Sequence, residues 1–335
     1  MRRMERQESD IAAGLWVVGP RRLALQSSPV TELVHGMNRV QTLFSGVSRG
    51  TERLVHEGRV PESEYERMAC PRQRGRFPFP VLYGYAAVGA VVDGPLTGQT
   101  VFCLHPHESL FDAASDDLLP LPAGVPADRA VLAANMETAL NAMWDSGAGP
   151  GDRIAIVGAG VVGGLIAALC ARLPGAEVVI VDPQPARASL AALLGCRWQS
   201  DGDGLSDCDL VFHASAQEGG LAIAVAAAGR EARIMELSWY GRGSVAAPLG
   251  GSFHAFRLTI QASQVGAIAS SRRPRWTYRR RLAKALSLLA DPALDAFLSH
   301  RLPFADAPHA LPPLLDRSAD VLMPVLVYGE SHVFS

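Results

Sequence analysis

The sequence contains few cysteines, and they form no metal-binding or redox motif. Five occur among 335 residues, at Cys70, Cys103, Cys170, Cys196 and Cys208. No pair has the Cys-x-x-Cys spacing of a zinc ribbon or a thioredoxin-like site. An odd number of scattered cysteines in a chain of this size favours reduced thiols and a cytoplasmic location.

Long apolar runs and an excess of charge are also absent. No hydrophobic stretch reaches membrane-spanning length without glycine, proline or charge, and residues 1–10 lack the apolar core of a secretory signal. The formal net charge is −2, so we expect no membrane segment and no general attraction to nucleic acid. The basic run 272–281 includes aromatic residues that could stack on bases, but the overall charge favours a solvated connector before a helix at 281–290.

The most informative segment begins with an apolar run at 153–157 that is typical of a buried parallel strand. Gly158, Gly160 and Gly163 follow with Gly-x-Gly-x-x-Gly spacing. This spacing allows a tight turn, close approach of a pyrophosphate and packing of the next helix on the strand. The helix that starts at Val161 and Val162 would direct its free amides at the phosphates. The segment therefore predicts a dinucleotide site.

Three further residues are predicted to border the cofactor. Asp182 ends the next strand, 178–181, where its carboxylate can bind ribose hydroxyls and repel a 2′-phosphate. Arg187, a few residues later, could stack on adenine or bind a 2′-phosphate, so the pattern favours NAD and leaves NADP possible. Ser215 follows a strand at 209–212, and the carboxyl ends of such strands face the ligand crevice.

The sequence divides into two regions with different patterns of apolar residues, glycine and proline. The first 130 residues alternate short β-like runs with glycine and proline, which favours an antiparallel, barrel-like domain. From residue 152 strands and helices alternate, as in a doubly wound parallel sheet. The predicted fold class is α/β, with a β-rich barrel domain followed by a Rossmann domain.

A β-rich domain before a dinucleotide fold resembles the medium-chain dehydrogenase/reductase superfamily, the relatives of zinc alcohol dehydrogenase. The resemblance implies a GroES-like catalytic domain at 1–137, a Rossmann domain at 138–268 and a segment at 269–335 that returns to the catalytic domain. Residues 45–52, Ser-Gly-Val-Ser-Arg-Gly-Thr-Glu, look like a branch near bacteriochlorophyllide dehydrogenase and like uncharacterised proteins described as zinc-binding alcohol dehydrogenases.

The metal ligands that this family uses are replaced in the sequence. Ser48, Tyr85 and Ala134 occupy the positions that correspond to the three catalytic zinc ligands. Zinc requires Cys, His or carboxylate donors, so these residues supply no competent set. Another cluster, formed by Cys103, His105 and His107, has no carboxylate-rich partner segment, and exposed loop histidines are the simpler interpretation. We therefore expect no metal.

Without zinc, hydroxyl side chains are the candidates for proton transfer. Tyr85 would point toward the substrate, where a phenol can donate a hydrogen bond to a developing oxyanion; alternatively, it fills the space that the metal would take. Ser48 and Thr51 could relay protons, or they could simply form the turn.

Two more cofactor contacts follow from the resemblance. Arg49 matches a basic position that contacts the pyrophosphate, although a surface role is equally open. Thr138 matches a threonine beside the nicotinamide. Glu52 could pair with Arg49 or Arg53. Glu137 could be a general base or, more simply, have a helix-cap or salt-bridge role.

The sequence thus predicts a zinc-independent, NAD(P)-dependent oxidoreductase. Hydride would pass between the nicotinamide and a carbonyl, alcohol or activated double bond of a small molecule in the cleft between the domains. The alternative is a dinucleotide-binding protein that has lost catalysis and serves regulation or scaffolding. By analogy with the superfamily, we expect a cytoplasmic homodimer.

Overall fold

The computed structural model describes residues 11–329, which form two compact units. One comprises the chain up to Ala134 together with the chain from Leu289 onward, and the other is Asn135–Leu288. The first boundary is close to the predicted one at 137/138. Residues 269–288 belong to the second unit, whereas the sequence analysis places them with the first domain. Residues 1–10, on which the expectation about a secretory signal rests, and residues 330–335 are outside the described part.

Strands and helices are numbered along the chain. The strands are β1 Ile11–Gly19, β2 Arg22–Pro29, β3 Met37–Gly46, β4 Arg74–Gly75, β5 Val81–Leu82, β6 Ala87–Asp93, β7 Thr100–Cys103, β8 Leu110–Ala114, β9 Leu119–Pro120, β10 Arg153–Val157, β11 Glu177–Val181, β12 Arg197–Gln199, β13 Cys208–His213, β14 Ala228–Glu236, β15 Thr259–Ala262, β16 Leu298–Pro303 and β17 Met323–Val327. The α-helices are α1 Arg49–His56, α2 Tyr65–Met68, α3 Ala133–Ser146, α4 Val161–Cys170, α5 Arg187–Leu194, α6 Glu218–Ala227, α7 Ser252–Ala255, α8 Tyr278–Leu288 and α9 Ala307–Leu315.

The first unit is built from two sheets. One has the order β2-β1-β5-β4, and the other has the order β16-β17-β3-β6-β7-β9 with β8 paired to β3. Apart from the parallel pair β16–β17, the pairings are antiparallel. The predicted β-rich domain is therefore present, and the last two strands reach it from the end of the chain.

Two apolar clusters stabilise this unit. The first joins β1, β17 and α9 through side chains such as Leu15, Leu311 and Leu326, all at most 2% exposed. The second lies between β3, β6, β7 and β8 and includes Val40, Val101 and Phe111. Each fully buried aliphatic side chain contributes about 1.5–3 kcal/mol, so these clusters hold rigid the loops that carry the site residues.

The second unit contains a parallel sheet with the order β12-β11-β10-β13-β14-β15. This is the doubly wound order 3-2-1-4-5-6 of dinucleotide-binding folds, with its switch point between β10 and β13. The register pairs Val157 with both Val181 and His213, and it pairs His213 with Glu236. Four neighbouring strands therefore end at one level and present their next residues to the same edge.

The arginine-rich segment before α8 is part of this unit's structure. The Arg272 guanidinium lies 5.5 Å from the centre of the Trp144 ring, and Trp144 packs 4.6 Å from Trp276. Arg280 stacks on Trp276 at 4.0 Å. Arg281 is 1% exposed and pairs with Glu137 at 2.9 Å. Arg281 is therefore buried within the unit, whereas the other arginines of the run are exposed, two of them over tryptophan rings, and the helix begins earlier than predicted.

Within residues 11–329, none of the helices is long and apolar enough to cross a bilayer.

Candidate functional site

The glycine-rich turn between β10 and α4 has the geometry that its spacing predicts. Gly158 has φ +101°, and a Cβ there would lie 2.6 Å from the backbone of Ser215. A Cβ on Gly163 would lie 1.9 Å from the carbonyl oxygen of Gly158. At Gly160, in contrast, a Cβ would have none of the described atoms within 4 Å. The first and third glycines thus permit packing, and the second leaves an open approach to the backbone.

Helix α4 begins directly at this opening. Gly160 is its N-cap and makes no side-chain capping bond, while the partly buried Val161 and Val162 form its first turn. The amides of a first helical turn have no partner within the helix, and they carry the positive end of the helix dipole. This arrangement suits an anionic group such as a pyrophosphate.

Asp182 lies immediately after β11 and links the turn to the neighbouring strand. One carboxylate oxygen accepts a 2.8 Å hydrogen bond from the Ala159 amide, and the other accepts one of 2.9 Å from the Gln184 amide. The side chain is partly exposed. It therefore fixes the turn in addition to being available for the predicted ribose contact.

Ser215 follows β13, beside the turn. Its hydroxyl lies 2.8 Å from Nε2 of His213, and Nδ1 of His213 lies 2.7 Å from a carboxylate oxygen of Glu236. His213 is fully buried, whereas Ser215 is partly exposed. The sequence analysis places Ser215 beside the cofactor but gives no indication of this hydrogen-bonded chain.

The other predicted cofactor contacts have varied surroundings. Arg187 opens α5 and is 8% exposed, and Thr138 lies partly buried on α3. The Arg49 guanidinium donates to the carbonyl oxygens of Val321 and Asp316, the latter at 2.5 Å. These bonds anchor Arg49 to the loop before β17. Its predicted contact with a pyrophosphate stays a prediction, as do those of Thr138 and Arg187.

The three predicted catalytic hydroxyls come together in the first unit. Tyr85 lies in the loop between β5 and β6, Ser48 is the N-cap residue of α1, and Thr51 lies in that helix. The Tyr85 side chain is hydrogen-bonded to both Ser48 and Thr51. Burial, with the negative charge of Glu52 adding to it, raises the pKa of Tyr85 to about 12. The phenol is therefore protonated at neutral pH and carries a proton that it can donate in a hydrogen bond.

Glu52 connects this cluster to a buried polar network that sequence reasoning missed. Its carboxylate accepts from the Ser48 amide at 2.7 Å and lies 2.8 Å from Nε2 of His107. Nδ1 of His107 lies 2.7 Å from the Ser45 hydroxyl, which lies 2.9 Å from that of Tyr328. Glu52 thus pairs with His107, 55 residues away in the sequence, a partner other than the predicted Arg49 or Arg53.

Comparisons with known proteins identify the architecture. No protein-family model matches the sequence. The 2-desacetyl-2-hydroxyethyl bacteriochlorophyllide A dehydrogenase of Cereibacter sphaeroides is 33% identical over 110 residues, a match that spans 32% of this chain and only 29% of that protein. L-idonate 5-dehydrogenase from Escherichia coli K-12 has a TM-score of 0.77 at 18% identity, covering 95% of this chain and 98% of that one.

A protein of Sinorhizobium meliloti 1021, assigned as a zinc-binding dehydrogenase and bound to NADP, has a TM-score of 0.74 at 14% identity, covering 95% of this chain and 99% of that one. This chain has the fold of the medium-chain dehydrogenases. The predicted combination of a GroES-like domain and a Rossmann domain is confirmed. At these identities the likeness establishes the fold, and any reaction must be argued from the residues of this chain.

In view of this fold, the positions that correspond to the family's zinc ligands can be examined one by one. Ser48 and Tyr85 offer only hydroxyls, and Ala134 offers no donor at all. The nearby imidazole of His107 has both nitrogens engaged, by Glu52 and Ser45. Across residues 11–329 there is no group of three or more His, Cys, Asp or Glu side chains that could hold a metal ion. The donor set of this region therefore does not fit catalytic zinc.

His105 also belongs to the protein interior and not to an exposed loop. It stacks on Phe111 with ring centres 3.8 Å apart and is 4% exposed. Burial lowers its pKa to about 3, so the imidazole is neutral. His105 and His107 lie in a loop as predicted, but the prediction that they are exposed is wrong, because both side chains are buried.

Proposed function

We propose that this chain is a nicotinamide-dependent oxidoreductase acting on a small molecule. The observation that carries the proposal is the second unit's parallel sheet. Its glycine turn leaves the backbone open at Gly160, and Asp182 ends the adjacent strand. When bound, the nicotinamide would supply the hydride chemistry. The first turn of α4 would hold the pyrophosphate, and Asp182 would bind a ribose, which favours NAD over NADP.

We further propose that proton handling in the first unit is independent of zinc. Tyr85 and Ser48 correspond to metal-ligand positions of the family that the sequence resembles, and the Tyr85 side chain is hydrogen-bonded to both Ser48 and Thr51. A phenol with a pKa near 12 is a weak base but an effective donor toward an oxygen that gains negative charge. Tyr85 would therefore stabilise the oxyanion of a carbonyl or enolate, while Ser48 and Thr51 hold the ring in place.

Binding is the first test. NADH and NADPH fluorescence titrations should show micromolar or tighter binding with a preference for NADH. Transfer of deuteride from 4-deuterated NADH should then be followed against aldehydes, ketones and enones. Elemental analysis of active protein should find zinc far below one atom per chain. One stoichiometric zinc would overturn the zinc-independent assignment, and failure to bind either nucleotide would overturn the whole proposal.

Tyr85→Phe tests the donor. Removing one hydrogen bond to an oxyanion lowers kcat by about 10²–10³-fold, while the dissociation constant for NADH should stay within about twofold. Tyr65→Phe is the matched control, because Tyr65 is a partly buried tyrosine of the same unit whose ring packs on Phe77. Equal activity of Tyr85→Phe and the control would remove Tyr85 from the mechanism. Tight NADH binding without turnover of any substrate class would point to a non-catalytic dinucleotide-binding protein.

The assembly and location follow the same proposal. A cytoplasmic location is in keeping with its five free cysteines, and the homodimer is proposed by analogy with the superfamily that the sequence resembles. Light scattering during gel filtration tests the dimer.

A further inference from the structure

The second unit contains a hydrogen-bonded chain at the edge where its strands end. The Ser215 hydroxyl lies 2.8 Å from His213 Nε2, and His213 Nδ1 lies 2.7 Å from Glu236. His213 ends β13, and Glu236 ends β14 as its register partner. The chain therefore joins two adjacent strand ends at the ligand-binding edge of the sheet.

The partners of the Glu236 carboxylate determine which group donates and which accepts at each hydrogen bond of this chain. One oxygen accepts a 2.7 Å bond from the Ser238 amide, and the other faces His213 Nδ1. A carboxylate is an acceptor only, so in a neutral imidazole it keeps the proton on Nδ1 and leaves Nε2 as an acceptor. The Ser215 hydroxyl must then donate to Nε2.

The second contact of Ser215 completes the assignment. Its oxygen accepts a 3.2 Å bond from the Gln217 amide. Because the hydroxyl proton is donated to His213 and one lone pair accepts from Gln217, one lone pair of the oxygen remains and no proton is left to donate. In this state, Ser215 can offer a further partner only an acceptor.

The surroundings prevent the hydroxyl from rotating away. His213 is fully buried. Ala216 has φ +51°, and its amide donates to the Ser238 hydroxyl at 3.0 Å. A Cβ at Gly220 would lie 2.2 Å from the Ser215 oxygen, so α6 packs directly against it. Packing thus fixes the position of the Ser215 oxygen, and the hydrogen bonds set the direction of the chain.

We propose that Ser215 accepts a hydrogen bond from a ribose hydroxyl of the dinucleotide, with His213 and Glu236 as the positioning residues that make it an acceptor. The inference rests on the proposed function and deepens it. The Ser215 backbone abuts Gly158 of the phosphate-binding turn, and the sugars directly flank the pyrophosphate. Phosphate oxygens only accept hydrogen bonds, so they cannot pair with Ser215 in this state, whereas ribose hydroxyls can donate.

The direction of the chain is tested without any ligand by ¹⁵N NMR of histidine-labelled protein, with the His213 signals assigned from a His213→Asn variant. The expected spectrum shows that Nδ1 of His213 is protonated and that Nε2 is unprotonated. In Glu236→Gln the amide would donate to Nδ1 and reverse the tautomer. Glu177→Gln, an exposed change at the opposite edge of the sheet, should leave the spectrum unchanged. A protonated Nε2 in the wild type, or no change in Glu236→Gln, would overturn the assignment.

The ribose contact is tested by titrating Ser215→Ala with NADH and with dinucleotides that lack one ribose hydroxyl at a time. Loss of one hydrogen bond should raise Kd about five- to tenfold for NADH, and one deoxy analogue should bind the wild type and Ser215→Ala equally. Ser206→Ala, an exposed serine of the same unit, is the control. Equal NADH affinity of Ser215→Ala and wild type would refute the contact alone, whereas wild-type protein that binds no dinucleotide would refute the proposed function together with it.

Discussion

Arg281 offers the sharpest test of how the second unit is held together. Its guanidinium is 1% exposed and lies 2.9 Å from the Glu137 carboxylate. It also donates to the side-chain oxygen of Asn141 at 2.6 Å and to the carbonyl oxygen of Val265 at 2.5 Å. Arg281→Met keeps much of the side-chain volume but removes the charge and every donor, so it leaves the Glu137 carboxylate buried without its cation.

The expected cost follows from that uncompensated charge. Breaking a buried ion pair by removing one partner costs about 3–5 kcal/mol of unfolding free energy. For a unit of this size, 1 kcal/mol corresponds to roughly 2–4 °C in Tm, so we expect a decrease of about 10 °C. The double variant Arg281→Met with Glu137→Gln should recover part of this loss, because the orphaned charge is gone.

The effect should also depend on pH in a defined direction. Burial raises the pKa of Glu137, and Arg281 opposes that rise. Without Arg281 the folded-state pKa is higher still, so the folded protein binds a proton more tightly than the unfolded chain. The stability of Arg281→Met should therefore fall as pH increases from the unfolded-state pKa, about 4.3, through the raised folded-state pKa.

Thermal unfolding by circular dichroism between pH 4.5 and 8 measures all of these effects. Arg279→Met, an exposed arginine of the same helix, is the control and should change stability by about 0.5 kcal/mol or less. A Tm for Arg281→Met within 2 °C of this control, or a deficit that does not grow with pH, would show that the buried pair does not hold α8 against α3.

Two further predictions concern the glycine turn and a buried histidine. Gly163→Ala should lower Tm, because its Cβ would lie 1.9 Å from the Gly158 carbonyl oxygen. Gly160→Ala has open space at its Cβ, so it should keep the wild-type Tm but bind NADH about tenfold more weakly. Equal Tm values for the two variants would contradict this prediction. Because burial lowers the pKa of His105 to about 3, the folded protein binds fewer protons than the unfolded chain below pH 6.5, so stability should fall as pH decreases through that range. His105→Phe should reduce this acid sensitivity in thermal scans, and an unchanged pH profile would count against it.

The sequence alone determined the features that depend on neighbours along the chain. The spacing of Gly158, Gly160 and Gly163 predicts both the turn and the helix after it, because φ and the lack of a Cβ are local properties. Apolar runs predict the strands of the parallel sheet for the same reason. The grouping of Tyr85 with Ser48 could also be predicted, because both correspond to metal-ligand positions of the family that the sequence resembles, and Thr51 lies three residues after Ser48.

Only the tertiary structure decided which polar groups meet in the interior. Glu52 pairs with His107, which is 55 residues away, and Arg281 pairs with Glu137, which is 144 residues away. The composition predicts neither pair, because a charged residue in a basic run is expected to be exposed to solvent unless the tertiary structure buries it. Likewise, His213 and Glu236 become partners only because the parallel register ends β13 and β14 at the same level. Patterns along the chain fix backbone geometry, whereas the burial that makes a polar contact strong depends on residues from distant segments.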